Sequence, residues 1–173
     1  MKMKIWILLG IWLTGAVLVG CSSHTIYLVR HAEKAFTPAN DPPLTAEGKS
    51  RAQALMDTLS DKNIEYIYST NTARTRATAE PLATKLGLPI LPYATDTLWE
   101  AAKHFRKLRG GNVLVVGHSN TLLPLLDQLP VTHQKKTIPD SDYDNLFVVK
   151  VKRRFLRPPL IRLQENVFGE LAE

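Results

Sequence analysis

Thr25-Ile-Tyr-Leu-Val-Arg-His31 is the stretch on which the fold turns. Its first five residues have the β-branched and aromatic content of a buried strand, and the run ends on a basic pair. Charged groups at the end of a buried strand need partners. Arg30 offers a planar fork for an anionic oxygen. His31 can serve as a base, a metal ligand or a nucleophile.

Downstream of this strand, helix and strand patterns alternate. Pro38, Pro42 and Pro43 mark a loop. Thr45 caps a helix with Glu47 in its first turn and Ala52, Leu55, Met56 and Leu59 on one stripe. Ile64–Tyr68 reads as a second strand. Thr72–Leu86 reads as a helix kinked at Pro81 and stopped by Gly87. Pro89–Leu91 is a short strand, and Thr97–Leu108 a helix presenting Trp99, Ala102, Phe105 and Arg106. Val113–Val116 is a fully apolar strand, and Thr121–Gln128 a short helix. Asn145–Lys152 and Leu160–Leu163 read as closing, antiparallel strands.

This alternation predicts an α/β fold: a three-layer, doubly wound sandwich with a mostly parallel central sheet and helices on both faces. In such sheets ligands bind beyond the carboxyl ends of the strands. One strand ends in Arg30-His31. The next ends near Ser69, with Arg74 just beyond, and another runs into Gly117-His118-Ser119. Two arginines and two histidines thus converge on one sheet edge. Taken singly, each has an ordinary reading as a surface ion-pair partner, a hydrogen-bonded histidine or a solvated helix face.

Leu28-Val-Arg-His31 resembles the signature of the histidine phosphatase superfamily, also called phosphoglycerate-mutase-like. Tyr68-Ser-Thr-Asn-Thr-Ala-Arg-Thr-Arg-Ala-Thr-Ala-Glu-Pro81 is similar to its second block, with Arg74 rather than Arg76 at the family's arginine. Val115-Val-Gly-His-Ser-Asn120 is similar to the third, and Pro43-Leu-Thr-Ala-Glu-Gly48 to the opening of the family's first helix. The blocks stand in the family's order across residues 25 to 150.

The resemblance implies that His31 is the nucleophile and forms a phosphohistidine. Arg30 and Arg74 would then fork onto phosphate oxygens, and His118, if protonated beside the phosphate, would add a third cationic contact. Three cationic groups would do what a metal does in other phosphatases, so neither metal nor cofactor is expected. Arginine does not ligate metals, and the two histidines lack nearby carboxylate partners in sequence. A Ser119 nucleophile is disfavoured because Thr121 stands where a Gly-x-Ser-x-Gly elbow needs its second glycine.

The general acid is less legible. Many family members supply a glutamate from a longer insertion after the third strand. Here only Pro92-Tyr-Ala-Thr-Asp-Thr97 is present. Asp96 is one candidate by position, with a helix N-cap as its alternative role, and Glu33 is another. The family's other branch carries an aspartate where Ser119 stands. A short insertion predicts an open site, which favours a phosphatase over a phosphotransferase. Its substrate would be a phosphorylated small molecule, an envelope glycan or a phosphoprotein. The alternative is a phosphate- or lipopolysaccharide-binding module with little or no turnover.

The chain has 173 residues and a formal net charge of +6. Lys2 and Lys4 precede an apolar stretch, Ile5–Val19, and then Leu18-Val-Gly-Cys21. This pattern reads as a signal peptide over 1–20. About 15 apolar residues are short for a membrane span, the competing interpretation. Cys21 is the only cysteine, and its context resembles a bacterial lipobox. Residues 21–24 would form a lipidated tether and 25–173 the phosphatase domain. The protein would sit in the bacterial envelope, at the periplasmic face of the outer membrane.

Basic residues cluster late, at Lys150, Lys152, Arg153, Arg154, Arg157 and Arg162. They read as a solvated strand edge or as contacts to anionic lipid. Aromatic interleaving and nucleic-acid-binding motifs are absent, so nucleic acid is not expected as a partner.

Overall fold

A computed structural model describes residues 23–170. The expected signal peptide and Cys21 lie outside the described residues, as do 171–173. Six strands and four helices follow one another as β1 (Ser23–Arg30), α1 (Ala46–Leu59), β2 (Ile64–Ser69), α2 (Ala73–Leu86), β3 (Ile90–Pro92), α3 (Leu98–Lys107), β4 (Asn112–Gly117), α4 (Ser119–Asp127), β5 (Asn145–Arg154) and β6 (Arg157–Val167).

The strands form one mixed sheet in the order β3-β2-β4-β1-β5-β6. The first four run parallel, while β5 and β6 run antiparallel to their neighbours. Alternate residues of β1 and β4 feed two cores. Ile26, Leu28, Val113 and Val115 pack with Ala102 and Phe105 of α3 and Leu122 and Leu125 of α4. Val29, Leu114 and Val116 pack with Leu55 and Leu59 of α1 and Ala79 and Leu82 of α2. The period-two alternation of a strand puts these sets on opposite sheet faces. Strands buried on both sides must be apolar throughout, as Val113–Val116 is.

Local chemistry sets the helix ends. Thr45 accepts a hydrogen bond from the Gly48 amide at 3.1 Å and caps α1. Gly87 closes α2 in the left-handed region, at φ 65°, a conformation glycine adopts without a Cβ penalty. Two expectations need correction. Helix α4 begins at Ser119 rather than Thr121, because His118 is its N-cap and its amide donates to Thr121 Oγ1 at 2.9 Å. On α3 the buried stripe is Ala102 and Phe105 with Leu98 and Ala101 alongside, while Trp99 is 53% exposed. Trp99 lies one residue off the i, i+3, i+4, i+7 row that starts at Leu98.

Register decides where the chemistry gathers. Arg30 pairs with Gly117 at the carboxyl ends of β1 and β4, and Ser69 pairs with Val116. At the opposite end of the sheet, Ser23 pairs with Lys152.

Candidate active site

Arg30 and His31 leave β1 at this edge almost wholly buried, at 2% and 3% exposure. His118 follows β4, and Arg74 stands in the first turn of α2. The four side chains converge. The His31 and His118 rings meet edge to face with centroids 5.3 Å apart, and Arg74 Nη2 lies 3.5 Å from His118 Nδ1.

The His31 ring is fixed by its own backbone. Nδ1 donates to the Ala32 carbonyl at 2.8 Å, so Nε2 carries the free lone pair. Burial lowers the His31 pKa to about 3. The hydrogen bond to Ala32 opposes that shift, and the charges of Arg30, His118 and Arg74 add to it. The imidazole is therefore neutral at neutral pH. Thr78 Oγ1 accepts the Ala32 amide at 2.9 Å, which ties this turn to α2.

His118 is neutral in the free site for similar reasons. Burial lowers its pKa to about 4, helped by Arg74 and Arg30 and opposed by Asp41. Its tautomer follows from a hydroxyl chain. Thr75 Oγ1 donates to the Thr70 carbonyl at 2.8 Å, and Thr70 Oγ1 donates to Thr75 Oγ1 at 3.0 Å. Thr70 Oγ1 can then only accept from His118 Nε2, 2.9 Å away. The Nδ1 lone pair of His118 is left facing the Arg74 guanidinium.

The two arginines are held differently. Arg30 Nη1 donates to the carbonyls of Pro139, Asp140 and Asp142 at 2.7, 3.2 and 3.1 Å. Tyr143 covers its guanidinium at 4.3 Å. Asp140 Oδ1 rests on Nη2 at 3.2 Å, from a side chain 98% exposed. Asp41 plays the matching part for Arg74, with an ion pair of 3.5 Å, and also accepts the Ala73 amide at the start of α2. The Nε atoms of both arginines are buried and make no hydrogen bond. Two unsatisfied cationic donors in one site have the character of an anion cradle.

Lys135 braces the Arg30 loop by donating to Asp142 Oδ2 at 2.5 Å. Partial burial of Asp142 would raise its pKa, but the hydrogen bond and charge of Lys135, with Asn145, outweigh that and hold it low. Arg74 and His118 line an open cavity of about 450 Å³ with Thr70, Tyr93, Thr95 and Asn120.

Neither acid candidate joins the four convergent side chains. Glu33 Oε1 takes Arg51 Nε and Nη2, both at 2.7 Å, so its carboxylate serves an ion pair between the β1 turn and α1. Asp96 is exposed in a bend directly after Thr95 of the cavity wall, and the N-cap of α3 is Thr97 instead. Among the described residues, no group of three or more His, Cys, Asp or Glu is arranged to hold a metal ion.

Thr70, Asp41, Asp140, Lys135 and Tyr143 escaped the sequence reading. Thr70 lies within the second block, between the end of β2 and the Arg74 helix. The others sit in loops without a pattern of their own.

Residues 26–102 match the sequence profile of the histidine phosphatase superfamily (branch 1). This match covers the segment that carries Arg30, His31 and Arg74 and ends before His118. "Probable phosphoglycerate mutase GpmB" of Escherichia fergusonii is 38% identical over 72 residues, which are 38% of this chain and 34% of that protein. The chain thus spans about a third of the length of the curated relatives it matches. Among solved structures, the protein histidine phosphatase SixA complexed with tungstate superposes with a TM-score of 0.60 at 18% identity, covering 83% of this chain and 96% of that one. A mycobacterial glucosyl-3-phosphoglycerate phosphatase, solved with VO3, superposes with a TM-score of 0.54 at 15% identity, covering 83% and 97%. At these identities the superpositions establish a shared fold.

Proposed function

We propose that this protein is a histidine phosphatase that hydrolyses phosphomonoesters through a phosphohistidine on His31, without a metal ion. One observation carries the reading. His31 is neutral, locked by Ala32 with its Nε2 lone pair free, and stands among two arginines whose buried Nε donors have no partner. That is a nucleophile beside cationic donors suited to an anion.

In the reaction, Nε2 attacks phosphorus in line with the ester oxygen. The N–P bond forms as the P–O bond breaks, and Arg30 and Arg74 neutralise the equatorial oxygens. Asp140 and Asp41 give way to phosphate oxygens on their arginines. The approaching dianion raises the proton affinity of His118 Nδ1, which then bonds the phosphate as a cation. Water hydrolyses the phosphohistidine and regenerates His31. Tungstate and VO3 in the structures named above are tetrahedral or vanadium oxyanions of the kind this cradle would accept.

A second reading is a phosphate-binding module. It draws on the acid problem: Glu33 is committed to Arg51, and Asp96 is exposed beside the cavity. An aryl phosphate separates the two readings, because its leaving group needs little protonation. The enzyme turns it over in the presence of chelator, and His31→Ala abolishes turnover. Oxyanion binding without turnover favours the module.

The same proposal includes an envelope location. Signal-peptide cleavage before Cys21 and lipidation of that cysteine would tether the domain within a few residues of the bilayer. The substrate class remains a phosphorylated small molecule, envelope glycan or phosphoprotein. Metabolic labelling with a fatty acid, lost in Cys21→Ser, tests the anchor.

A further inference from the structure

The hairpin joining β5 and β6 is built against the usual rules. Arg154 pairs with Arg157, which leaves Phe155-Leu156 as a two-residue turn. Such turns favour Asn-Gly or Gly-rich pairs, because their backbone visits positive φ. Here Leu156 sits at φ 53°, a conformation in which its Cβ is strained. Its side chain contributes little to the core in return. Leu156 is 87% exposed and Phe155 67%. A strained turn bearing two exposed apolar side chains points to a role outside the fold.

The surroundings identify the occupant. Residues 150–163 contain Lys150, Lys152, Arg153, Arg154, Arg157 and Arg162 and no acidic residue. Lys150, Lys152, Arg154, Arg157 and Arg162 are all exposed. Arg153 is tied back to the Lys107 and Leu108 carbonyls at 2.7 and 2.9 Å, which fixes the hairpin against the end of α3. Large apolar residues at a tip ringed by cations fit the boundary between acyl chains and anionic headgroups.

Register supplies an independent argument. Ser23 pairs with Lys152, so the chain enters the fold at the hairpin's end of the sheet. Cys21 precedes Ser23 by two residues, and the apolar stretch 5–19 precedes that. Anchor and hairpin tip therefore share one end. The candidate active site lies at the other end of β1, seven residue steps or roughly 23 Å away.

We infer that Phe155 and Leu156 dip into the surface of an anionic phospholipid membrane and, with the N-terminal tether, fix the domain so that the Arg74–His118 cavity beside His31 opens away from that membrane. The orientation rests on the proposed membrane tether, while the tip contact stands on the hairpin itself. It narrows the substrate class of the proposed site. Phosphates on lipids of the anchoring leaflet cannot reach His31, whereas phosphomonoesters free in the aqueous phase can.

The test uses the full, unprocessed chain with Cys21→Ser, which retains the apolar stretch 5–19 and carries no lipid. An environment-sensitive fluorophore is placed on Leu156→Cys or, at the pocket end, on Asp140→Cys. With phosphatidylcholine vesicles containing phosphatidylglycerol, the label at 156 is expected to shift to the blue and to be shielded from aqueous iodide. The label at 140 is expected to stay in water. Replacing Lys150, Lys152, Arg154 and Arg157 by Gln is expected to remove the dependence on phosphatidylglycerol. Phe155→Asn with Leu156→Gly supplies a favoured turn, so it should keep or raise the thermal midpoint while a label at Arg157→Cys loses its shielding. A label at 156 that stays in water, equal shifts at 156 and 140, or a chain that does not associate with the vesicles would each overturn the inference. Fatty-acid labelling of the unsubstituted chain reads the lipid anchor separately.

Discussion

His118 Nε2 lies 2.9 Å from Thr70 Oγ1, and this bond decides which nitrogen of the second histidine faces the pocket. Thr70 stands just past β2 and His118 just past β4, so the register of these two strands sets the contact. Thr70→Val would leave the buried N–H without an acceptor at a cost of about 1–3 kcal/mol. The expected result is a lower urea midpoint together with weaker oxyanion binding. Thr70→Ser should restore both, which separates the hydrogen bond from simple loss of packing.

The pairing of His31 and His118 has a consequence for pH. Both folded-state values, about 3 and about 4, lie below the ordinary histidine value of 6.5. Between pH 6.5 and those values the unfolded chain binds more protons than the folded one. Stability therefore rises with pH across this window and is lost as pH falls through it. Buried His24, whose pKa is also lowered, adds to the slope. Urea denaturation at pH 7 and pH 5 should show the lower midpoint at pH 5. His31→Gln should reduce the difference, and saturating vanadate should oppose it by binding only the folded state.

Asp140 is expected to compete with substrate. Its carboxylate sits on Arg30 Nη2 from a fully solvated position, so the ion pair itself contributes little. Asp140→Asn should tighten oxyanion binding and lower KM by a few-fold, with kcat little changed. Isothermal titration with vanadate reads the first effect and steady-state kinetics the second. A raised KM would mean that Asp140 holds the Arg30 loop rather than shielding its guanidinium.

Gly117 marks a close approach. A Cβ there would stand 2.6 Å from Tyr93 Oη and 2.9 Å from Thr121 Oγ1. Gly117→Ala should cost about 1–3 kcal/mol as strain in a packed site. Tyr93 should be pushed into the cavity that it lines with His118, lowering activity as well. Differential scanning calorimetry and aryl phosphatase assays would show both losses.

The candidate site edge is legible in the sequence because strand periodicity and strand termini are local. Arg30-His31 and Gly117-His118 each end an apolar run, and parallel pairing of β1, β2 and β4 then brings them together with Arg74. What stayed hidden depends on loops. Asp140, Asp142 and Tyr143 reach Arg30 across more than a hundred residues, and nothing in Pro139-Asp-Ser-Asp-Tyr-Asp144 announces an arginine clamp. Glu33 reads as an acid candidate because it lies close to His31 in sequence. The partner that occupies it, Arg51, is a core-facing residue on an otherwise ordinary amphipathic helix. Helix α4 begins two residues before Thr121 because Ser119 and Asn120 belong to its first turn and the cap is His118 itself.

The central claim is that His31 Nε2 forms a bond to phosphorus. Rapid acid-free quenching during turnover of a labelled aryl phosphate, followed by mass spectrometry, measures this directly. The account expects an acid-labile, base-stable phosphate on His31, formed without added metal and absent in His31→Ala. Turnover with no phosphate on His31, or an unimpaired rate in His31→Ala, would contradict it.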